Sequence, residues 1–164
     1  MSVGRVVQIN ISPGGVPKLP VATARLTLEG LAGDRHRDVE HHGGPERAVC
    51  LYALEAIEAL QAEGHPIVPG SIGENLTIHG VDWTTIAPGT ILGVGEQALL
   101  QVTRYTSPCG NIRPVFLDGD YSRVSQKRHP GWSRVYARVL SEGTVRPGDT
   151  VRVLPAGALA AGSR

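Results

Sequence analysis

The sequence predicts a mainly β single domain, with a closed barrel or sandwich favoured over a doubly wound α/β sheet. Short apolar runs are separated by turns rich in Gly and Pro, of which the chain has 21 and 12. About seven or eight of these runs have the length and composition of strands, and no regular alternation of strand and helix connects them. The length of 164 residues fits one domain with a hydrophobic core.

The predicted strands are rich in β-branched residues or alternate apolar and polar side chains. In 24–29, Leu26 and Leu28 fall on one face and are expected to point inward. The predicted strands span residues 3–11, 24–29, 48–52, 76–78, 90–94, 98–103, 135–140 and 150–154.

One clear helix is predicted over 54–62, because Ala53, Ile57 and Leu60 share a face and Gly64 follows. Residues 118–132 are polar and are predicted as a loop or a marginal helix. Residues 1–155 are assigned to the domain. The segment 156–164 lacks bulky side chains and is predicted to be a disordered tail.

Composition excludes several classes of function. Sixteen Lys and Arg against fifteen Asp and Glu give a formal charge of +1, so neither a nucleic-acid partner nor a membrane partner is expected. No apolar run approaches the roughly 18 residues of a membrane span. The N-terminus lacks the pattern of a signal peptide, and a cytoplasmic location is expected. The two cysteines, Cys50 and Cys109, are too few for a zinc or iron–sulfur site built from thiolates alone.

The peptide Thr106-Ser-Pro-Cys-Gly-Asn111 is the most informative motif. Pro108 biases Ser107 toward an extended backbone, and Gly110 permits a sharp turn directly after the thiol. Arg104 and Arg113 are near in sequence, and positive charge lowers the pKa of a thiol. Cys109 is therefore a candidate metal ligand or sulfur carrier. The competing interpretation is a small buried apolar residue, which is the role expected for Cys50.

A polar, His- and Gly-rich loop is predicted over 31–45, and it has three interpretations. His36, Asp38, His41 and His42 could form a zinc site, although their spacing lacks the i, i+4 pairing of a helical zinc motif. The loop could instead be purely structural, with Asp34 and His42 bonded to the backbone. Thirdly, it could bind an anion through the backbone of Gly43 and Gly44, with Arg35 and Arg47 nearby.

Glu74 and Asn75 begin a predicted strand. Side chains of this type at a strand start can pin a turn or contact a ligand, and the sequence favours pinning.

Taken in order, several of these peptides resemble the MOSC family, named after the C-terminal domain of molybdenum cofactor sulfurases. The resemblance covers about residues 3–154 and is strongest to small bacterial members consisting of this domain alone. It rests on the joint order of Gly30-Leu-Ala-Gly-Asp34, His42-Gly-Gly-Pro-Glu-Arg-Ala48, Gly73-Glu-Asn-Leu-Thr77, Ser107-Pro-Cys-Gly110, Tyr136-Ala-Arg-Val-Leu140 and Gly148-Asp149.

This resemblance implies a closed, strongly bent β-barrel with one or two short peripheral helices, and a molybdenum cofactor held on a pterin. Cys109 matches the family's cysteine and would be the molybdenum ligand and the catalytic residue. The residues expected to contact the cofactor are Arg104, Ser107 and Asn111 beside Cys109, and Arg35, His36, His42, Gly43, Gly44 and Asn75 on the opposite wall.

The resemblance also implies reduction of N-hydroxylated substrates, such as amidoximes or N-hydroxylated purines, with electrons from a flavin or iron–sulfur protein. A neutral His could pass a proton to the leaving oxygen. The alternative is a sulfur or cofactor carrier that uses Cys109, works with a cofactor-biosynthesis protein and has no turnover of its own. A third hypothesis is a metal-free barrel that binds a small anion.

Overall fold

The computed structural model describes residues 3–34 and 45–155, and most of its regular structure is β-strand. The predicted tail 156–164 lies outside the described residues. The strands are β1 (Val3–Ile11), β2 (Leu19–Val21), β3 (Ala24–Thr27), β4 (Gly30–Leu31), β5 (Val49–Ala53), β6 (Leu76–His79), β7 (Ile91–Val94), β8 (Ala98–Tyr105), β9 (Val135–Ser141), β10 (Gly143–Val145) and β11 (Thr150–Leu154). The helix α1 spans Leu54–Ala62, and 3-10 turns lie at Pro45–Arg47, Trp83–Thr85, Gly110–Val115, Leu117–Gly119 and Tyr121–Val124.

Seven strands form a closed barrel in the order β1, β6, β5, β9, β8, β7, β11. Antiparallel pairing of β11 with β1 closes it, with Val3 opposite Arg152 and Arg5 opposite Thr150. The strand β2 extends the sheet from β1, and β10, β3 and β4 form a separate three-stranded sheet. The predicted closed β-barrel is confirmed.

Two hydrophobic clusters lie on opposite sides of β5. Leu51, Leu76 and Leu100 belong to the cluster inside the barrel. Tyr52 and Ile57 belong to the second cluster, between α1 and the 3-10 turns. Every residue of β5 is buried, because both faces of this strand are covered.

The strand pair β5–β6 is parallel, whereas the other paired strands of the described chain are antiparallel. A parallel pair needs a crossover connection, and α1 lies within the segment that joins β5 to β6. The predicted helix 54–62 is therefore confirmed and supplies one βαβ unit inside an otherwise antiparallel fold.

The sequence pattern missed the short strands β2, β4 and β10, each of two or three residues. The predicted strand 24–29 ends at Thr27, and the expectation that Leu28 points inward is wrong, because Leu28 is exposed. Residues 28 and 29 instead turn the chain from β3 into β4. Within 118–132, the structure forms short 3-10 turns, including Tyr121–Val124, rather than a longer helix.

Gly4 lies where the barrel closes. A Cβ on Gly4 would collide with the carbonyl oxygen of His79 and approach Cγ2 of Val81 to 2.7 Å. Both atoms belong to packed structure, so Gly4→Ala is expected to lower the free energy of unfolding by about 1–3 kcal/mol. Denaturant unfolding of the two proteins measures the change.

Gly110→Ala is the matched control for Gly4→Ala. A Cβ on Gly110 would meet no neighbouring atom closer than 4.0 Å, and the φ of Gly110 is not positive. We expect a change within about 0.5 kcal/mol for this exposed position. Equal destabilisation by the two variants would show that the closure at Gly4 is not tightly packed.

Candidate functional site

A pocket that contains Cys109 lies against the outer face of β5 and β9, on the side of the second hydrophobic cluster, where five segments converge. It has a cavity volume of about 70 Å³. Its walls come from the β1–β2 connection, β5, the segment before β6, the segment 106–112 after β8, and the start of β9. The lining residues are Gly15, Val16, Lys18, Cys50, Ile72, Gly73, Thr106, Ser107, Cys109, Asn111, Ile112, Arg134 and Tyr136.

Cys109 is partly exposed and has an extended backbone, with φ −136° and ψ 171°. Its carbonyl oxygen accepts a hydrogen bond of 3.2 Å from the backbone N–H of Ile112, and the 3-10 turn Gly110–Val115 begins directly after it. The predicted turn after the thiol is therefore present. It does not depend on a left-handed conformation, because Gly110 has no positive φ.

Arg134 is a buried cation of the pocket, with 6% of the residue exposed. Its Nη1 donates a hydrogen bond of 2.6 Å to the carbonyl oxygen of Ile72, and its buried Nε has no hydrogen-bond partner among the described residues. The carbonyl oxygen of Arg134 accepts a hydrogen bond of 2.9 Å from the backbone N–H of Thr106. This bond ties the start of β9 to the segment that carries Cys109.

Lys18 is the second buried cation of the pocket and is neutralised by Asp34. Its Nζ lies 2.7 Å from Oδ1 of Asp34, and the two side chains are 6% and 3% exposed. The same Oδ1 accepts a hydrogen bond of 2.9 Å from the backbone N–H of Ser12. Asp34 therefore fixes the β1–β2 connection, in which both Ser12 and Lys18 lie.

Asn75 supports the pocket from behind and does not line it. Its Oδ1 accepts from the backbone N–H of Cys50 at 2.9 Å, and its Nδ2 donates to the carbonyl oxygen of Asn10 at 3.1 Å and to Oδ2 of Asp34 at 3.0 Å. The amide is thus fully bonded within the protein. The placement favours a structural role for Asn75 over the predicted cofactor contact.

Glu74 pins the turn before β6, as the sequence favoured. Its Oε2 accepts from the backbone N–H of Gly70 and from Oγ1 of Thr77, both at 3.0 Å. Burial raises the pKa of Glu74 above its ordinary value, against the opposing effect of these hydrogen bonds and of Arg134.

The raised pKa of Glu74 predicts a pH dependence of stability. The folded protein keeps a proton that the unfolded chain releases once the pH exceeds the ordinary Glu value, so this group's contribution to stability falls as the pH rises from there to the folded-state pKa. We expect Glu74→Gln to flatten that decline. Denaturant unfolding at a series of pH values measures it, and parallel curves for the two proteins would contradict the prediction.

Cys50 and Tyr136 complete the inner part of the pocket. Cys50 is 3% exposed, its Sγ lies 3.9 Å from Oγ1 of Thr106, and burial raises the pKa of its thiol. Burial also raises the pKa of Tyr136 to about 12. The expected buried state of Cys50 is confirmed, but its position beside the pocket was not predicted.

Of the predicted site residues, the structure brings Ser107 and Asn111 to the same pocket as Cys109. Arg104 is exposed on β8 and does not line it. Arg113 is also exposed, and its guanidinium lies 5.3 Å from the ring centre of Tyr121. The predicted residues Arg35, His36, His42, Gly43 and Gly44, and the zinc candidates Asp38 and His41, lie outside the described residues.

Sequence reasoning missed Lys18 and Arg134. Arg134 sits in a run of consecutive buried residues, 133–137, so no alternation of polar and apolar side chains marks it. Lys18 lies between Pro17 and Leu19 in a segment without period. A lysine or arginine in such a context has the sequence signature of a surface residue.

Two further observations concern the described part of the chain. Residues 3–34 and 45–155 contain no group of three or more His, Cys, Asp or Glu placed to hold a metal ion. No helix in these ranges is long and apolar enough to cross a membrane.

The amino-acid sequence of this chain is similar to those of several known proteins. The chain is 32% identical over 145 residues to YflK of Bacillus subtilis, which covers 87% of this chain and 64% of that protein. It is also 32% identical over 126 residues to YiiM of Escherichia coli, covering 73% of this chain and 56% of that protein. The chain therefore spans less than two thirds of the length of either relative.

A third relative is described as a reductase of Gibberella moniliformis. It is 31% identical over 130 residues, which cover 76% of this chain and 22% of that protein. Among solved structures, YiiM of Geobacillus stearothermophilus has a TM-score of 0.72 and 26% identity, with 94% of this chain and 77% of that one covered. YiiM of Escherichia coli gives 0.65 and 26%, with 94% and 70% covered.

The family comparison agrees with this set of relatives. The model of the MOSC domain matches residues 38–152, which include Cys109 and Arg134 and the strands from β5 to β10 complete. Together with the closed barrel, this match shows that the chain belongs to the MOSC domain family.

Proposed function

We propose that this protein binds a molybdenum cofactor through Cys109 and reduces N-hydroxylated compounds such as amidoximes or N-hydroxylated purines. The observation that carries the proposal is the partly exposed Cys109 in a pocket against the outer face of the barrel. Membership of the MOSC family associates the domain with molybdenum-cofactor function. The relative described as a reductase supports a reductive reaction.

The pocket residues fit such a cofactor chemically. A thiolate is a soft ligand, the type that suits a metal already carrying sulfur ligands. Ser107 and Asn111 line the same pocket and offer a hydroxyl and an amide for hydrogen bonds. The metal would therefore attach through a single protein atom, with neighbouring polar groups to orient the organic part.

When bound, the molybdenum cofactor supplies the two-electron chemistry that removes oxygen from an N–OH group. The overall reaction consumes two electrons and two protons and yields an N–H group and water. This chain would hold the cofactor at Sγ of Cys109 and exclude bulk water with Cys50, Ile72 and Ile112. The two electrons would come from a flavin or iron–sulfur protein.

Expression in a host that makes the cofactor, followed by metal and pterin analysis of the purified chain, tests the first half of the proposal. We expect molybdenum and pterin near one equivalent each per chain. Reduction of an N-hydroxylated purine with a chemical electron donor tests the second half. Absence of molybdenum from protein purified from a competent host would overturn the assignment.

The partial exposure of Cys109 also supports a second candidate, a sulfur carrier. In this reaction, the Cys109 thiolate attacks the terminal sulfur of a donor persulfide. A new sulfur–sulfur bond forms on Cys109 while the donor's sulfur–sulfur bond breaks and its thiolate leaves. A carrier would accept this sulfur without metal and show no reductive turnover, so mass analysis after incubation with a persulfide distinguishes the two candidates.

A further inference from the structure

We propose that the Cys109 pocket is a receptor for an anionic group, with the guanidinium of Arg134 as its counter-ion. The ligand class is a carboxylate or an oxyanion positioned beside Sγ of Cys109. The inference deepens the proposed function and rests on it for the identity of the natural ligand. The anion site itself follows from the residues of the pocket.

The first argument is the uncompensated charge of Arg134. Burying a guanidinium is costly unless it is paired, and only 6% of Arg134 is exposed. Across the described residues, no carboxylate forms an ion pair with Arg134. Its one side-chain hydrogen bond within this part of the chain goes to the neutral carbonyl oxygen of Ile72.

The second argument is the unused edge of the guanidinium. Nη1 donates to the carbonyl oxygen of Ile72, whereas Nε is buried and has no partner in residues 3–34 and 45–155. Nε and Nη2 form the side of the planar group that binds two oxygens of a carboxylate or oxyanion at once. Because Arg134 lines the pocket, an anion held in this cavity would lie beside the guanidinium.

The third argument is that the neighbouring charges leave Arg134 uncompensated. Lys18 lines the same pocket, but Asp34 at 2.7 Å neutralises it. The charge of Arg134 lowers the pKa of Glu74, but the larger effect of burial raises this pKa and so favours the neutral acid. The residues that line the cavity include two cations, Lys18 and Arg134, and no carboxylate, and Ser107 and Asn111 add neutral hydrogen-bond donors.

The experiment compares the rates at which iodoacetate and iodoacetamide alkylate Cys109 in the full chain, with the modified residue located by mass spectrometry. The two reagents differ chiefly in the negative charge of iodoacetate, so their rate ratio cancels changes in the thiol's own reactivity. We expect Arg134→Gln to lower the iodoacetate-to-iodoacetamide ratio about fivefold to tenfold, which is the attraction of one charge at a partly screened site. Arg134→Lys should keep the ratio within about twofold, because it keeps the charge.

Arg25→Gln is the matched control, because it removes the same charge from an exposed position that does not line the pocket. We expect it to leave the ratio unchanged. An unchanged ratio in folded Arg134→Gln would overturn the proposal. If Arg134→Gln does not fold, the test is whether added anions slow the alkylation of Cys109 in the wild-type chain. The proposal is overturned if none of sulfate, molybdate, a phosphate monoester and acetate slows it.

The protecting anion identifies the source of the ligand. If the phosphate monoester protects best, the natural ligand is a cofactor phosphate. If molybdate or sulfate protects best, the ligand is a free oxyanion. If acetate protects best, the ligand is the carboxylate of a substrate. Each of these outcomes supports the anion site. Metal and pterin content are measured separately. A chain that retains molybdenum but shows no anion selectivity refutes this inference alone. A chain that shows anion selectivity but retains no molybdenum refutes the cofactor assignment alone.

Discussion

Cys109→Ser is expected to abolish retention of molybdenum and pterin while the barrel stays folded. The hydroxyl of Ser is a hard, weakly acidic group and does not replace a soft thiolate ligand. Cys109 lies in the segment after β8, is partly exposed, and has no side-chain hydrogen bond within the described residues whose loss would unfold the domain. Elemental analysis and pterin fluorescence of protein from a cofactor-competent host give the measurement, and circular dichroism confirms the fold.

Cys50→Ser is the control that separates the two cysteines. Cys50 is buried in β5, so a hydroxyl at this position is expected to lower the free energy of unfolding by about 1–3 kcal/mol. The purified variant should retain its metal. If folded Cys50→Ser loses the metal and Cys109→Ser keeps it, the two cysteines have been assigned the wrong way round.

Asp34→Asn is expected to produce the largest loss of stability among the changes considered. The carboxylate is 3% exposed and accepts hydrogen bonds from Lys18, Asn75 and the backbone of Ser12. Neutralising one partner of a buried ion pair leaves the other charge buried and uncompensated, at a cost of about 3–5 kcal/mol. Guanidinium chloride unfolding of variant and wild type gives the difference in free energy.

Glu46→Gln is the contrasting change at an exposed ion pair. Glu46 lies 2.9 Å from Arg138, but the two side chains are 49% and 44% exposed. Because solvent screens the two charges, such a pair contributes less than about 1 kcal/mol to the free energy of unfolding. A loss for Asp34→Asn no greater than that for Glu46→Gln would show that water reaches the pair formed by Lys18 and Asp34.

The strands of the barrel could be predicted because burial that recurs at a regular spacing leaves a regular pattern of apolar residues in the sequence. Strands such as β1 and β8 bury alternate residues over part of their length, and α1 buries Ile57 and Leu60 on one face. The three missed strands are too short to show a period. Leu28 was misplaced because alternation was extended past Thr27, where the chain already turns.

The pocket was only partly predictable for a different physical reason. The thiol was found because Pro108, Cys109 and Gly110 make a distinctive local peptide. Arg134 and Lys18 acquire their role from tertiary burial, in which distant segments cover an otherwise ordinary basic side chain. Asn75 was predicted to contact the cofactor. Its sequence context does not reveal that its side-chain amide already makes three hydrogen bonds within the protein.

The pairing of β8 with β9 places both ends of the segment 106–134 side by side, with Tyr105 opposite Val135. The segment between them supplies Cys109, Ser107 and Asn111, whereas β5 and the β1–β2 connection supply other walls of the pocket. It also packs Phe116 and Val124 against α1, so its length and its apolar residues are tied to that helix. Exchanging this segment between two related barrels is therefore expected to transfer ligand choice only when the facing side of α1 is exchanged with it.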